Sequence, residues 1–125
     1  MIKALIVENN DTFREFLIES LALITSTSIL SGAATEDVIL SKIDTFRPDI
    51  LFINFRLLGG NGLTTTRKIK TKYPGIQVIL ITNYDLPEYR EAAYRFGADH
   101  FLSKSTIMDK DISDLVQLIT HKYGP

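Results

Sequence analysis

The chain has 125 residues, 45% of them hydrophobic, which is enough apolar material to core a single domain spanning residues 1–125. Fourteen basic residues against fifteen acidic ones leave a formal net charge of -1, so no broad positive field marks a nucleic-acid backbone as the main partner. The absence of cysteine removes disulfides, thiolate metal sites and Cys nucleophiles together. The N-terminus MIKALIVENND has too short an apolar run for a signal peptide and nothing approaches a membrane span, so the expectation is a cytoplasmic protein without membrane contact. In an unexported chain the Asn10-Asp11-Thr12 sequon is a chance match.

Ile2 to Val7 (IKALIV) is a nearly uninterrupted apolar run, the pattern of a strand covered on both faces. Phe13, Phe16, Leu17, Ser20, Leu21 and Ile24 then fall at helical spacing, with Asn10 or Asp11 placed to cap the start. A weaker strand is predicted at Ser28 to Ala33. Thr35 followed by Glu36 and Asp37 supplies an N-cap and first-turn acids for a second helix through Val38, Ile39 and Ile43, which stops before Pro48. Ile50 to Ile53 is the next solid strand, with Asn54 at its end. A third helix runs from Gly62 to Tyr73 and is closed by Pro74-Gly75; the strand Ile76 to Ile81 follows. A fourth helix, Pro87 to Phe96, is closed by Gly97 and is expected to bury Tyr89, Ala92, Ala93 and Phe96 while turning Arg90, Glu91, Tyr94 and Arg95 outward. A weaker strand at His100 to Leu102 and a fifth helix from Asp109 to Lys122, with Ile112, Leu115, Val116 and Ile119 inward, complete the chain. Strict βα alternation predicts an α/β fold: a doubly wound, five-stranded parallel sheet with right-handed crossovers and helices on both faces.

In such a sheet the ligand site lies outside the carboxyl ends of the strands, beside the point where strand order reverses. The residues that follow the predicted strands are Glu8, Asn9, Asn10 and Asp11; Asn54; Thr82 and Asn83; and Lys104 and Ser105. An acid, several amides, a hydroxyl and a lysine therefore converge. Taken alone, Glu8 and Lys104 read as a partly buried ion pair, and Thr82 reads equally well as a strand-end hydroxyl satisfying backbone groups. The run GGNG lacks the Lys-Ser/Thr of a phosphate-cradling loop and reads as a tight turn. Arg67, Lys68, Lys70 and Lys72 read as a solvated helix face, and His100 and His121 lack metal-ligand spacing.

Val7-Glu8-Asn9, FREFL, PDILFINFRLLGGNG, Thr82 and FGADHFLSK occur in an order and spacing that resemble the receiver domain of bacterial two-component response regulators, over nearly the whole chain. The resemblance implies a flavodoxin-like sheet of order 2-1-3-4-5. It also implies Mg²⁺-assisted phosphoryl transfer from a histidine kinase to an aspartate, which shifts a conformational equilibrium read by partners. On that match Glu8 and Asn9 stand at the acidic pair, Asn54 at the phosphoacceptor, Thr82 at the switch hydroxyl, Phe101 at the aromatic switch position and Lys104 at the lysine. FREFL resembles the first helix of the DNA-binding LuxR/NarL-type branch, which implies a C-terminal DNA-binding domain outside this chain and dimers through helices one and five.

The departures carry the functional expectation. A neutral amide oxygen is a poor nucleophile with no product equivalent to an acyl phosphate, so Asn54 cannot be the family's phosphoacceptor. Mg²⁺ is held by carboxylates and phosphate, and Asn9 and Asn54 remove two of them; a typical family pocket of three acids and one lysine sums to -2, whereas Glu8 with Lys104 sums to zero. Leu58 stands where the family usually has proline. The expectation is a degenerate, or pseudo-, receiver. It is not an enzyme and has no tightly bound cofactor, Glu8, Asn9 and Asn54 being only weak Mg²⁺ candidates. It works through protein partners, a histidine kinase or a second copy, and touches DNA only through another domain. Tyr94 between Arg90 and Arg95 has interface composition. Two alternatives stay open: an ordinary phosphoacceptor replaced by Asn54 through engineering, against which Asn9 speaks, and a pocket that senses another ligand or accepts a phosphoryl group at Glu8 or Asp11.

Overall fold

The computed structural model describes residues 2–24, 27–32 and 34–123, the last three by their backbone alone. Ala33, the end of the second predicted strand, and the side chain of His121 lie outside the described residues. In chain order the elements are β1 (Ile2–Val7), α1 (Asp11–Ala22), β2 (Thr27–Gly32), α2 (Glu36–Phe46), β3 (Ile50–Asn54), β4 (Arg56–Leu57), β5 (Gly60–Asn61), α3 (Gly62–Lys72), β6 (Gln77–Thr82), α4 (Pro87–Arg95), β7 (His100–Ser103) and α5 (Asp109–Tyr123). Five strands form one parallel sheet in the order β2-β1-β3-β6-β7, which is the expected 2-1-3-4-5 once the short ribbon of β4 and β5 is set aside.

The solid apolar runs follow from burial on both faces. Leu5, Val7, Leu51, Ile53, Val78 and Leu80 point to one side, where they pack with Ile39 and Ile43 of α2, Ile69 of α3 and Ala93 of α4. Their neighbours Ala4, Ile6, Ile50, Phe52, Ile79 and Ile81 point to the other, against Leu17 and Leu21 of α1 and Ile112, Val116 and Ile119 of α5. Strand order reverses between β1 and β3, so the carboxyl ends of these two strands flank the crevice in which ligands bind in folds of this class. At the opposite edge Lys70 Nζ donates to the carbonyls of Pro74 (2.9 Å) and Ile76 (2.8 Å) and to Asp99 Oδ2 (2.9 Å), which also accepts from the Val78 N–H at 2.8 Å.

Helix starts differ in how well they are capped. Asn10 caps α1 by accepting from the Phe13 N–H at 2.8 Å, and Asn61 caps α3 by accepting from the Thr64 N–H at 3.0 Å. Thr35 holds the extended N-cap conformation, but its hydroxyl makes no capping bond, so the acids after it act on α2 through the helix dipole and not through a box. The strand expected at Ile76 to Ile81 sits one residue later, because the Gln77 N–H donates to the Asp49 carbonyl and brings Thr82 into the ladder opposite Ser103. Of the residues expected to be buried on α4, only Ala93 is; Tyr89, Ala92 and Phe96 are half-buried on this short helix over the edge strand. Tyr89 meets Phe55 edge-on at 5.2 Å and the Arg67 guanidinium lies over the Phe96 ring at 4.2 Å.

The GGNG turn has two separate backbone reasons. Gly59 adopts φ 72° in the loop of the ribbon, where a side chain would be strained. Gly62 begins α3 where a Cβ would lie 2.4 Å from the Asn54 carbonyl oxygen, so only glycine lets the helix start this close to the end of β3.

Glu36 joins α2 to α3. Its Oε2 accepts from Lys68 Nζ and its Oε1 from the Thr65 hydroxyl, both at 2.7 Å. The Lys68 bond first, and the Thr65 bond second, hold the Glu36 carboxyl below its ordinary value, and the same pair raises Lys68. A carboxylate with a lowered folded pKa stabilises above its unfolded value near ~4.3 and loses that contribution as pH falls through the folded value. Urea unfolding of the parent chain and Glu36→Gln should therefore show the parent more stable at pH 7, with the gap closing as pH is taken below about 4.3; a gap constant with pH would contradict this.

Candidate functional site

Each main-sheet strand on the crevice side delivers one chemically distinct group at its carboxyl end. Glu8 follows β1 and is 1% exposed; its backbone N–H continues the ladder to the Gly32 carbonyl at 3.1 Å. Its Oε1 accepts from the Asn10 N–H at 3.0 Å and its Oε2 lies 2.7 Å from Lys104 Nζ. The two charges are in close contact, but the approach lacks hydrogen-bond alignment, leaving Oε2 held by electrostatic attraction. Lys104 is positioned by its own N–H, which donates to the Thr82 carbonyl at 2.8 Å, and its ammonium lies 5.0 Å from the centre of the Phe13 ring. Arg14 steadies the turn from outside, donating to the Glu8 carbonyl at 2.8 Å and pairing with Asp11.

Asn54 ends β3 half-buried, and its Nδ2 donates to the Arg56 carbonyl at 2.8 Å. The amide is thus built into the ribbon that follows, whose exit is fixed by the Gly62 N–H donating to the Phe55 carbonyl at 2.7 Å. Glu8, Asn9, Asn54 and Lys104 share one open cleft of about 590 Å³ with Asn10, Thr12 and Asn83, and with Phe13 and Phe16 as an apolar wall. Arg56 completes the lining. The sequence carries no signal for it, because Arg56 follows a bend at Phe55 and belongs to a two-residue strand too short to carry a hydrophobic pattern.

The structure does not gather every candidate. Thr82 is 2% exposed and does not line the cleft; its hydroxyl accepts from the Tyr84 N–H at 3.1 Å, the backbone-satisfying arrangement that the sequence equally allows. Phe101 is buried and lines a separate groove with Arg90, Tyr94 and residues of α5. Arg90 is outward but not idle: it pairs with Asp85 at 3.1 Å and lies over the Phe101 ring at 4.8 Å. Tyr94 and Arg95 are exposed as expected.

The donor set in the cleft does not fit Mg²⁺, the ion that the resemblance implies. Mg²⁺ calls for octahedral hard oxygen ligands, chiefly carboxylate and phosphate. Among the described residues the cleft's lining carboxylate is Glu8, whose two oxygens face Lys104 and the Asn10 N–H. No group of three or more His, Cys, Asp or Glu residues able to hold a metal occurs among the described residues.

The fold, with its crevice at the carboxyl edge of the sheet, is that of a signalling receiver. Residues 4–119 match the family model for the response regulator receiver domain, and the chain belongs to that family. It is 26% identical over 119 residues to the response regulator GacA of Pseudomonas syringae pv. syringae, covering 95% of this chain and 54% of the relative. It is 23% identical over 104 residues to the DNA-binding transcriptional activator DevR/DosR of Mycobacterium tuberculosis, covering 83% of this chain and 48% of the relative. The chain thus spans about half the length of these relatives. Among solved structures, a two-component response regulator from Clostridium difficile superposes with a TM-score of 0.89 at 21% identity over 100% of both chains. The BeF3-activated DrrB receiver domain does so at 0.85 and 20% identity over 97% of this chain and 98% of its own. No helix among the described residues is long and apolar enough to cross a membrane.

Removing one partner of a buried ion pair leaves an uncompensated charge, at a cost of about 3–5 kcal/mol, whereas replacing both by apolar side chains is often neutral. Lys104→Met should accordingly unfold at markedly lower urea, and Glu8→Leu with Lys104→Met should recover most of the loss. Equal destabilisation by the single and double variants would show that the pair does not hold this edge together.

Proposed function

We propose that this receiver domain is a degenerate one, working as a protein-interaction module without being phosphorylated. The observation that carries the reading is Asn54 at the position where the family's reaction needs a carboxylate, in a cleft whose lining carboxylate is already paired with Lys104. An amide cannot form the acyl phosphate, and the neighbouring Asn9 removes a second carboxylate, which disfavours the idea of a single engineered change. Glu8 is a poor substitute acceptor, since both its oxygens are engaged. On this reading the domain is not an enzyme, holds no tightly bound cofactor and acts in the cytoplasm.

We place the chain in a longer transcription regulator of the LuxR/NarL type, with DNA contacted by a domain outside it; the link to transcription is supported by the name of DevR/DosR, a DNA-binding transcriptional activator. The partner is a histidine kinase or a second copy of the chain. The surface offered is the exposed edge of α4, where Tyr94 is 47% exposed between Arg90 and Arg95.

Amide NMR of the chain titrated with Mg²⁺ and then with beryllofluoride tests this directly. The expected result is no saturable shift at Glu8, Asn54, Thr82 or Lys104; saturable shifts spreading from there to Phe101 and Tyr94 would overturn it. Restoring both acids should also create the repulsion that the amides avoid. Asn9→Asp with Asn54→Asp should lower Tm without metal by roughly 4 °C, with recovery on adding Mg²⁺. A double variant that melts like the parent and ignores Mg²⁺ would contradict that.

A further inference from the structure

We propose that the cleft is a metal-independent, non-covalent site for a small organic anion, a carboxylate or phosphonate-like head on an apolar body, with Arg56 as its recognition residue. The inference rests on the reading of the cleft as one without phosphoryl transfer. Its first support is charge. Glu8 contributes -1 and Lys104 and Arg56 +1 each, so the lining carries a formal +1, the sign that draws anions and repels a divalent cation.

The second support is the state of those cations. Lys104 is paired with Glu8, and Arg14 at the adjoining turn is paired with Asp11. Among the described residues no carboxylate pairs with Arg56; its guanidinium lies 5.9 Å from the centre of the Tyr84 ring. A guanidinium presents a planar fork of donors that matches a carboxylate or phosphonate in two parallel bonds.

The third support is preorganisation. Arg56 pairs with Asn61 across the ribbon, Leu57 beside it is 8% exposed in the core, and Asn54 holds the Arg56 carbonyl. Its backbone is therefore fixed on both sides, so that ordering on binding is confined to the exposed side chain. Asn9 and Asn83 bring uncharged amide donors to the same space, and the half-buried rings of Phe13 and Phe16, 5.5 Å apart, give the apolar body a wall.

The test is an amide NMR titration of the chain at matched ionic strength, with a chelator present, using phenylphosphonate, benzoate and inorganic phosphate as probes. Phenylphosphonate has no transferable phosphoryl group. The expected result is saturable shifts at Asn9, Asn54, Arg56 and Asn83 with phenylphosphonate or benzoate, weaker by several-fold with inorganic phosphate. The stronger of the two organic probes identifies the head group. Arg56→Ala should weaken binding roughly tenfold, while Lys110→Ala, an exposed lysine at the start of α5, should leave it unchanged. Absence of saturable shifts with either organic probe, or equal weakening in both variants, overturns the anion site and leaves the proposed function standing. Saturable shifts of the same residues by Mg²⁺ without chelator would overturn the proposed function and this site with it.

Discussion

A carboxylate that is 1% exposed cannot stand alone, and much of the carboxyl edge of the sheet is arranged around Glu8. Its partner comes from the far side of the sheet: Lys104 follows β7, with β3 and β6 lying between that strand and β1. The lysine's backbone is hung on the Thr82 carbonyl, its ammonium sits over Phe13 of α1, and its charge reaches Glu8 at 2.7 Å. One ion pair thereby links the two outer walls of the cleft and draws α1 into the same arrangement. Breaking it costs far more than forming it contributes, because most of the penalty is the desolvated charge left behind.

With that pair in place, the amides at Asn9 and Asn54 make physical sense. Further carboxylates beside Glu8 would add like charges in a space of reduced dielectric, which needs a bound cation to relieve it. Amides fill similar volume without charge, and Asn54 uses its nitrogen on the Arg56 carbonyl, a bond no carboxylate could donate. The same substitution that disfavours a metal thus fastens the ribbon. Gly62 lets α3 begin against that strand end, so strand, ribbon and helix meet with no room for a methyl group at the junction.

What the sequence made legible follows from which signals are local. The strands at Ile2–Val7, Ile50–Asn54 and Gln77–Thr82 could be read because burial on both faces writes an unbroken apolar run. Asn10 could be read as a cap because the capping bond spans three residues. The grouping of Glu8, Asn9, Asn54 and Lys104 could be read because a parallel sheet aligns its strand ends. Four things could not. Thr35 has the residue type of a cap without the bond, α4 buries less than its periodicity implies because it lies over an edge strand, and Arg56 belongs to a two-residue ribbon too short to leave a hydrophobic pattern. Lys70 with Asp99 was equally hidden, since the two residues are brought together only by the fold.

The cleft and the exposed edge of α4 are joined by packed rings. Arg56 lies near Tyr84, Tyr84 is 5.9 Å from Tyr89 on α4, and Tyr89 meets Phe55 of the segment that carries Arg56. One residue further along α4, Arg90 covers Phe101. Contiguity of this kind marks where coupling would run, and it becomes coupling only if two arrangements differ in free energy. The size of any such effect is bounded by the contact that an occupant would disturb. A cation over an exposed ring contributes about 0.5–1 kcal/mol, so drawing Arg56 off Tyr84 would change the ratio of two α4 arrangements about two- to fivefold. Full conversion of a switch needs differential binding of about 10⁴-fold. Under the proposed reading, an effect of that size would tune a surface and not convert it, which is what an interaction module would need and a phosphorylation-driven switch would not.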